Sequence, residues 1–369
     1  MVGRHGTLEE MDLRAINISP AFWRDKRVLL TGHTGFKGSW LSLWLQSLGA
    51  ELRGLALEPP THPALFEVAN VARGMDHRIV DVRDYPAVQA HVDEFKPDII
   101  IHMAAQPLVR LSYEQPIETY TTNVMGTVHV LEAARHCSAV RAIVNVTTDK
   151  CYENREWVWG YRENDPMGGF DPYSSSKGCA ELVSAAYRQS FLKSARIALA
   201  TARAGNVIGG GDWAQDRLLP DILRALQGKQ SVPIRNPNAI RPWQHVLEPL
   251  SGYLVLAERL YLGAEEDAGA WNFGPRDEDA RDVKWIVENM CSAWGSHAGW
   301  TIQPGNHPHE AHFLKLDISK ARQVLHWTPR WSLEVALRRI VDWHRAWIDK
   351  QDMRAFCVEQ IKQYGSPDE

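Results

Sequence analysis

The sequence predicts an α/β protein in which a doubly wound parallel sheet carries a smaller C-terminal lobe. Three observations support this prediction. Strand-like and helix-like segments alternate from residue 27 to residue 204, a glycine-rich turn joins the first strand to the first helix, and the alternation breaks beyond Ala204. Strict alternation is typical of parallel sheets whose two faces are covered by helices. The loop-rich remainder is expected to form the lobe.

Apolar periodicity predicts the individual elements. After the strand at 27–30, residues Leu41, Trp44, Leu45 and Leu48 show helical spacing, and Gly49 ends that helix. The other predicted segments are strands at 51–57, 78–80 and 98–102, helices at 85–94 and 119–135, a strand at 142–147, a helix from 173 to about 192, and strands at 196–202 and 271–274.

Composition excludes several functional classes. The 369 residues are 44% hydrophobic and 23% charged, and the net charge of −4 gives no electrostatic reason to expect nucleic acid or an anionic membrane as partner. Five cysteines without a C-x-x-C pair argue against a disulfide framework or a zinc site, and they fit the reducing cytoplasm. No apolar run approaches the roughly 20 residues of a membrane span, and the N-terminus lacks a signal-peptide pattern.

The turn TGHTGFKG between the first strand and helix predicts a dinucleotide site on a Rossmann-like fold. Gly32 and Gly35 allow a tight turn against a pyrophosphate, and Gly38 allows close helix packing. The phosphates are expected at the helix N-terminus, where backbone amides and the helix dipole favour anions. A purely structural turn is the alternative. Thr34, Phe36 and Lys37 of the same turn are also predicted cofactor contacts.

An acidic residue downstream of this turn favours NAD over NADP. Glu58 ends the second strand twenty residues after Gly38, a spacing that suits a bond to a ribose hydroxyl. A carboxylate there would repel a 2′-phosphate, although His33 and Lys37 add basic groups nearby. Small residues after the strand at 98–102 allow close approach of a cofactor, and the remaining predicted contacts are Asp81, Val82, Ala104, Ala105, Gln106, Asn123, Tyr173 and Lys177.

Tyr173 and Lys177 form a Y-x-x-x-K pair, one helical turn apart and therefore on one helix face. The ammonium is expected to lower the pKa of the phenol, so that Tyr173 can serve as a base near neutral pH. Such pairs also occur by accident on solvated helices. The position of this one, two strands after the segment at 102–106, favours the catalytic interpretation.

Thr148, Asp149 and Lys150 follow the apolar run 142–146 directly. This places a hydroxyl, a carboxyl and an amine at the carboxyl end of a strand, where open α/β sheets bind ligands. An exposed ion pair between Asp149 and Lys150 is the structural alternative. The sequence predicts a second catalytic group here, next to the Tyr173 pair.

These motifs together resemble the extended short-chain dehydrogenase/reductase family from about Phe22 to the C-terminus. In its nucleotide-sugar 4,6-dehydratase branch, Thr is followed by an acidic residue, and dTDP-glucose-specific members typically read Thr-Asp-Glu. This chain has Thr-Asp-Lys at 148–150 and is similar there to the CDP-glucose-specific members. The strings GHTGFKGSWLSLWL, HMAAQPLVR, TTDKCYEN and ARAGNVIGGGDWAQDRLLPD share that similarity.

The resemblance implies a lyase that forms CDP-4-keto-6-deoxy-D-glucose from CDP-D-glucose with NAD, for deoxysugar and surface-polysaccharide synthesis. Tyr173 would take the proton of the 4-hydroxyl, which Thr148 orients, and Asp149 would protonate the departing 6-hydroxyl. Lys150 would be the base at carbon 5 or a cation that stabilises the enolate. Substrate contacts are implied at Gln106, Asn206, Arg217, Leu218, Arg241 and His245.

The resemblance also implies a homodimer or tetramer whose interface uses the helices at 119–135 and 173–192. The predicted organisation is an N-terminal extension (1–21), an NAD-binding domain (22–205, with a returning segment at about 246–275) and a substrate lobe (206–245 and 276–369). No metal is predicted, because the histidines between His307 and His312 fit a solvated loop better. The alternatives are a dehydratase of a dTDP- or GDP-sugar, a nucleotide-sugar 4-epimerase, and a non-catalytic NAD-binding protein.

Overall fold

Seven parallel strands form the central sheet of the protein. The computed structural model describes residues 18–295, 299–302 and 314–366. The described residues contain thirteen strands, of which seven form this sheet and six form three two-stranded sheets. They are β1 (Arg27–Thr31), β2 (Glu51–Ala56), β3 (Asp76–Ile79), β4 (Ile99–His102), β5 (Ala142–Val146), β6 (Ala198–Ala204), β7 (Asn206–Ile208), β8 (Val232–Ile234), β9 (Ile240–Arg241), β10 (Trp243–His245), β11 (Ala270–Phe273), β12 (Arg281–Asp282) and β13 (Trp300–Ile302). The large sheet has the order β11-β6-β5-β4-β1-β2-β3, which confirms the predicted doubly wound α/β class.

Fourteen α-helices lie in the described ranges. They are α1 (Pro20–Trp23), α2 (Phe36–Ser47), α3 (Leu65–Val68), α4 (Tyr85–Phe95), α5 (Val109–Glu114), α6 (Pro116–Tyr120), α7 (Gly126–Arg135), α8 (Pro172–Tyr187), α9 (Leu218–Gln227), α10 (Leu247–Tyr261), α11 (Val283–Trp294), α12 (Ser319–Val324), α13 (Leu333–Ile348) and α14 (Met353–Gly365). A π-helical turn at Thr121–Met125 joins α6 to α7, and another at Arg188–Leu192 extends α8. The two long predicted helices are therefore present, each with one wider turn.

The strand order reverses between β1 and β4, which creates the crevice at the carboxyl ends where such sheets bind ligands. The chain moves from β1 outward through β2 and β3, and then returns to β4 on the other side of β1. The Thr31 hydroxyl and the His102 ring nitrogen Nδ1, at the two strand ends, are 2.7 Å apart. The glycine-rich turn follows β1 at this crevice.

Alternating side chains of the central strands enter two separate apolar cores. Val28 and Leu30 of β1 pack on the side of α2 and α10, whereas Leu29 packs on the side of α4 and α7. Strand β4 repeats this pattern, with Ile100 on the opposite side from Ile99 and Ile101. Because both faces of the sheet are covered by helices here, residues 28–30 of β1 and 99–101 of β4 are apolar at successive positions rather than alternating with polar residues.

The lobe has an apolar core of its own, formed by α9, β8, α11 and one face of α13. The structure differs from the predicted lobe at its end, since α14 packs against α2 in the main core, with Cys357, Ile361 and Tyr364 buried there. Short strands also occur in segments that the sequence indicated as loops: β7 pairs with β10, and β9 pairs with β12. Strand β11, inside the predicted returning segment, pairs with β6. The other predicted domain boundaries stay predictions.

None of the helices in the described ranges has the length and apolar character needed to span a membrane. The same ranges hold no group of three or more His, Cys, Asp or Glu residues placed to bind a metal ion. The histidines between His307 and His312 and most of the predicted N-terminal extension lie outside the described residues.

Candidate active site

The glycine-rich turn brings backbone, not side chains, to the start of α2. A β-carbon at Gly32 would lie 2.8 Å from the Ala104 nitrogen, and one at Gly38 would lie 2.1 Å from the Gly32 oxygen. Gly35 is the N-cap of α2, and within the described ranges no side chain caps this helix and no acidic residue stands in its first turn. The first amides of α2 are therefore available to an anion such as a pyrophosphate.

The predicted cofactor residues beside this turn lie at the end of β2, at the start of α2 and after β4. Thr34 donates a hydrogen bond to the Leu57 carbonyl oxygen at 2.8 Å, which holds the turn against the end of β2, and Glu58 is exposed at that end. Phe36 is half-buried and limits the space at Gly209. Ala104 and Ala105 follow β4 at the opposite wall, where the Ala104 amide donates to Thr31.

Several predicted cofactor contacts already have internal partners. The Asp81 carboxylate accepts hydrogen bonds from the Arg83 guanidinium, which holds its pKa below the ordinary value. Val82 is buried against the position of Gly126. Asn123 exchanges hydrogen bonds with the backbone of Gln106. A contact of these residues with a cofactor stays a prediction, and for Asp81 and Asn123 it would compete with the internal bonds.

Lys37 points from the first turn of α2 toward the chemical centre. Its ammonium lies 3.4 Å from the Tyr253 hydroxyl. Burial, followed by the charges of Lys177 and Arg217, lowers the pKa of Lys37 to about 7, and the nearby Asp149 opposes this shift. The sequence predicted Lys37 as a cofactor contact, and the structure in addition brings its amine close to Asp149 and Lys177.

The two predicted catalytic groups meet at the carboxyl end of β5. Thr148 donates a hydrogen bond to Asp149 Oδ1 at 2.9 Å, and the Thr148 hydroxyl lies near the Tyr173 side chain. A 3₁₀ turn at Asp149–Cys151 packs against α8, the helix that carries Tyr173 and Lys177. The hydroxyl, the carboxyl and the phenol therefore face one site.

The environment of Tyr173 differs from the prediction that Lys177 lowers its pKa. Burial, with a contribution from the Asp149 charge, raises the pKa of Tyr173 to about 12, although the neighbouring Thr148 hydroxyl and the Arg217 charge oppose this. The Lys177 ammonium donates to the Val146 carbonyl oxygen at 3.3 Å, and burial lowers the pKa of Lys177 to about 8. The protein alone thus keeps Tyr173 as a neutral phenol.

Asp149 is set up as an acid. It is only 1% exposed, and burial raises its pKa above the ordinary value, while Lys150, Thr148 and Arg241 oppose the shift. Its Oδ2 atom is buried and has no hydrogen-bond partner among the described residues. Lys150 is half-buried next to it. A buried carboxyl with a raised pKa holds its proton more readily than a solvated one and can donate it within the site.

Two of the predicted substrate residues supply positive charge to this site. Arg217, at the start of α9, forms an ion pair with Asp212 at 2.9 Å and lies near Tyr173. Arg241 of β9 is buried close to Asp149. Asn206 begins β7, the short strand beside β10, and Leu218 packs against the lobe core. Arginine suits a diphosphate, and the contacts of these four residues with substrate stay predictions.

Two other substrate predictions fit the structure poorly. His245 was predicted to contact substrate, but it is fully buried, with its ring 6.1 Å from Trp40 and 4.9 Å from Trp331. His245 of β10 thus packs among aromatic residues, and its contact with substrate stays a prediction. The Gln106 side chain donates to Thr119 and accepts from the Leu108 amide, so a substrate bond from Gln106 would have to replace an internal one.

Sequence reasoning missed two features of the site. Tyr253 of α10 is buried close to Lys37 and Tyr173, and no local motif marks it. Glu181 and Arg203 form a buried ion pair beneath Lys177. The spacing carried a signal for Glu181, because it stands four residues after Lys177 and therefore on the same face of α8.

Comparisons with known proteins identify the family of this chain. Residues 29–340 match a family model described as GDP-mannose 4,6 dehydratase. The chain is 59% identical over 354 residues to a CDP-glucose 4,6-dehydratase of Salmonella typhimurium, which covers 95% of this chain and 99% of that protein. It is 25% identical over 361 residues to a dTDP-glucose 4,6-dehydratase of Xanthomonas campestris, with 90% and 98% covered.

Two solved structures share the fold. A UDP-glucose 4-epimerase of Thermotoga maritima superimposes with a TM-score of 0.76 at 21% identity, covering 87% of this chain and 99% of that one. A dTDP-glucose 4,6-dehydratase of Bacillus anthracis gives 0.74 at 20% identity, with 88% and 98% covered. The family match and the long Salmonella alignment agree, and this chain belongs to the GDP-mannose 4,6 dehydratase family of nucleotide-sugar enzymes, within the extended short-chain dehydrogenase/reductase group that its motifs resemble.

Proposed function

We propose that this protein is a lyase that converts CDP-D-glucose into CDP-4-keto-6-deoxy-D-glucose and water, with NAD as a cofactor that ends each cycle unchanged. The observation that carries the proposal is the buried Asp149 carboxyl, with a raised pKa, in one site with Thr148 and Tyr173. The 59% identity to the Salmonella enzyme supports CDP-glucose as the substrate. Deoxysugar synthesis for surface polysaccharide such as O-antigen is the proposed use of the product.

The residues around the glycine-rich turn fit a dinucleotide. A β-carbon at Gly32 or Gly38 would fill the space in which the turn packs, and the N-terminus of α2 offers its amides without a competing side chain. Glu58 stands where it would repel a 2′-phosphate, which favours NAD over NADP. When bound, NAD supplies hydride transfer, taking a hydride from carbon 4 of the sugar and later delivering it to carbon 6.

Tyr173 is the proposed base for the 4-hydroxyl. Its O–H must ionise first, and a pKa of about 12 shows that the protein alone does not achieve this. A cationic nicotinamide ring, together with the Lys177 ammonium one helical turn away on α8, would favour the phenolate. Tyr173 then removes the hydroxyl proton as the carbon–hydrogen bond at carbon 4 breaks. Thr148, hydrogen-bonded to Asp149 and near Tyr173, orients that hydroxyl.

Asp149 is the proposed acid in the elimination that follows. The 4-ketone acidifies the proton at carbon 5, so a base can remove it, and Lys150 either serves as that base or stabilises the enolate as a cation. Asp149 gives its proton to the 6-hydroxyl while the carbon–oxygen bond breaks, and water leaves. Carbon 6 then receives the hydride, carbon 5 receives a proton, and Tyr173 keeps the proton taken from the 4-hydroxyl until it exchanges with solvent.

A direct assay tests this function. The purified protein is incubated separately with CDP-glucose and dTDP-glucose, and 4-keto sugar is measured by its absorbance in alkali. We expect keto sugar from CDP-glucose and no net formation of NADH. A stoichiometric rise in NADH would indicate a simple dehydrogenase, keto sugar from dTDP-glucose alone would reassign the substrate, and no keto sugar from either would refute the dehydratase.

Asp149→Asn separates a dehydratase from a 4-epimerase. The amide keeps the shape of the buried side chain but cannot donate the carboxyl proton, so we expect keto-sugar formation to fall by at least about a hundredfold. A 4-epimerase has no use for this acid and would tolerate the change. Because an uncharged amide is no harder to bury than the carboxyl, the variant should unfold at nearly the wild-type temperature, which is the control for folding.

A homodimer is the proposed assembly, with a tetramer as the alternative outcome. Large apolar side chains are exposed on and next to α6 and α8, including Ile117, Phe170 (89% exposed), Leu182 (62% exposed) and Phe191. An apolar surface of this extent on neighbouring helices fits contact with a second copy. Sedimentation of the wild type and of Leu182→Glu tests this, and a monomeric wild type would refute it.

The cytoplasm is the proposed location. All five cysteines are described, and none of them forms a disulfide, which suits a reducing compartment. Fractionation of cells that express the protein at its natural level tests this assignment, and recovery from the periplasm would contradict it.

A further inference from the structure

A buried ion pair lies directly beneath the catalytic residues. Glu181 of α8 stands four residues after Lys177 and is 3% exposed, and Arg203 of β6 is 1% exposed. The Arg203 atoms Nε and Nη2 donate to Glu181 Oε1 and Oε2, both at 2.9 Å. The two charges are thus paired in a bidentate arrangement that fixes the direction of both side chains.

The same carboxylate holds the residue before the catalytic turn. Thr147, which directly precedes Thr148, donates its hydroxyl to Glu181 Oε1 at 2.5 Å. Thr201 of β6 donates to Glu181 Oε2 at 2.7 Å. Glu181 therefore accepts four hydrogen bonds, and one of them ties the start of the turn at 148–151 to the helix that carries Tyr173.

The other partner of the pair holds the residue after the turn. Arg203 Nη1 donates to the Tyr152 hydroxyl at 2.7 Å and to the Glu163 carbonyl oxygen at 3.0 Å. The Tyr152 hydroxyl donates in turn to Asn272 Oδ1 at 2.7 Å. Tyr152 directly follows Cys151, so the end of the turn is held by the same ion pair as its start.

We infer that Glu181, Arg203 and Tyr152 are positioning residues that hold the Thr148–Cys151 turn in register with Tyr173 and Lys177, so that elimination follows oxidation on the same bound sugar. This inference rests on the proposed dehydratase function. None of the three needs to touch the substrate, because they act through the backbone on either side of Asp149 and Lys150.

Stability alone does not explain this arrangement. Burying two charges is costly, and apolar residues of similar volume are often at least as stabilising as a buried ion pair. The pair instead fixes relative positions, because its carboxylate and guanidinium together hold α8, β6 and both ends of the four-residue turn. Displacing a reacting group by about 1 Å can cost a hundredfold in rate, so the turn that carries the acid is where such precision matters.

Tyr152→Phe is the variant that tests the inference. It removes the hydroxyl that bonds Arg203 and Asn272 but keeps the ring, which stacks on Tyr161 at 5.2 Å. We expect Asp149 to be less well placed while Tyr173 and Lys177 stay in position on α8. Elimination should slow by at least about tenfold while oxidation continues, so reduced cofactor should accumulate on the enzyme during turnover of CDP-glucose. Stopped-flow absorbance of the reduced nicotinamide measures this accumulation.

Tyr161→Phe is the matched control. Tyr161 is as buried as Tyr152 and belongs to the same cluster, but its hydroxyl bonds the Arg155 amide and Asn154 rather than the ion pair. We expect it to leave kcat within about twofold and to accumulate no reduced cofactor, even where it lowers the melting temperature as much as Tyr152→Phe does.

Thr147→Val tests the other end of the turn with almost no change in volume. It removes the hydrogen bond to Glu181 and should produce the same accumulation, which decides the matter if Tyr152→Phe does not fold. The inference is overturned if both folded variants keep wild-type kcat, or if kcat falls without accumulation of reduced cofactor. Absence of keto sugar from the wild type would instead remove the proposed function, so the two failures are distinct.

Discussion

Helices α2 and α8 both begin beside the carboxyl ends of the sheet, but their first turns are completed differently. Among the described residues no side chain caps α2, whose N-cap is Gly35. At α8, Asp171 accepts a hydrogen bond from the Ser174 amide at 2.9 Å, and Pro172 occupies the first helical position. One helix start offers its amides to a ligand, and the other satisfies them internally.

The difference matches what each helix carries. A dinucleotide phosphate needs backbone amides and little side chain, so the start of α2 is left open and lined with glycine. Tyr173 and Lys177 must instead keep a fixed direction toward the sugar, so α8 begins with a carboxylate cap and a proline, both of which favour one helix start. A side-chain cap added to α2 should therefore weaken cofactor binding, and a cap removed from α8 should weaken that helix start.

Gly38→Ala should have the largest effect on the open helix. The added β-carbon would lie 2.1 Å from the Gly32 oxygen and 2.7 Å from the His33 Cα, both backbone atoms that cannot give way cheaply. The start of α2 must therefore move, and we expect NAD affinity to fall by at least about a hundredfold. Equilibrium binding measured by calorimetry, with circular dichroism as the folding check, tests this.

Gly35→Ala is the control for that variant. Its β-carbon would meet only the Gly32 oxygen at 3.4 Å, so the turn should keep its shape and NAD affinity should stay within about threefold of wild type. An equal loss of affinity in both variants would show that any side chain in the turn is harmful, and the argument from the position of Gly38 would fail.

Gly35→Asp should turn the open helix start into a capped one. Gly35 has an extended backbone conformation that any residue can adopt, and an aspartate at an N-cap accepts hydrogen bonds from first-turn amides. The carboxylate would then compete with the phosphates, so we expect NAD affinity to fall by about tenfold while the melting temperature stays equal or rises. A lower melting temperature together with unchanged affinity would contradict the comparison of the two helix starts.

The sequence predicted the main sheet well because each strand is a short apolar run buried on both faces. Strands β1, β4 and β5 were found within a residue or two, and the glycines of the turn indicated where the backbone must pack closely. The short strands beyond β6 were harder to predict. Strands β7, β9 and β10 have three residues or fewer, and their pairing depends on distant parts of the chain rather than on local pattern.

The candidate site was predictable where chemistry follows local spacing. Tyr173, Lys177, Thr148 and Asp149 lie on adjoining elements, as the motifs indicated. The aromatic surroundings of His245 could not be predicted in this way, because its neighbours Trp40 and Trp331 come from opposite ends of the chain. The expected low pKa of Tyr173 failed for a related reason, since burial by the assembled fold outweighs the nearby ammonium.

Neutralising Asp171, the cap of α8, should have the smallest effect on stability and should mainly shift the pH profile. Burial chiefly, and the charges of Asp149 and Asp171 in smaller part, raise the pKa of Tyr173. Asp171→Asn keeps a capping side chain, so the free energy of unfolding should change by less than about 0.5 kcal/mol. Removing a negative charge lowers the pKa of the phenol, so the acidic limb of the pH profile of kcat/KM should move to lower pH.

Asp171→Ala distinguishes the effect of the capping hydrogen bond from the effect of the negative charge. It should shift the acidic limb in the same direction as Asp171→Asn but also cost about 1 kcal/mol of unfolding free energy, because the first-turn amide of Ser174 loses its acceptor. NAD affinity should stay at the wild-type value in both variants, since the cofactor amides belong to α2. If either variant weakened NAD binding, or if the limb moved to higher pH, the two helix starts would not have the separate roles that their caps indicate.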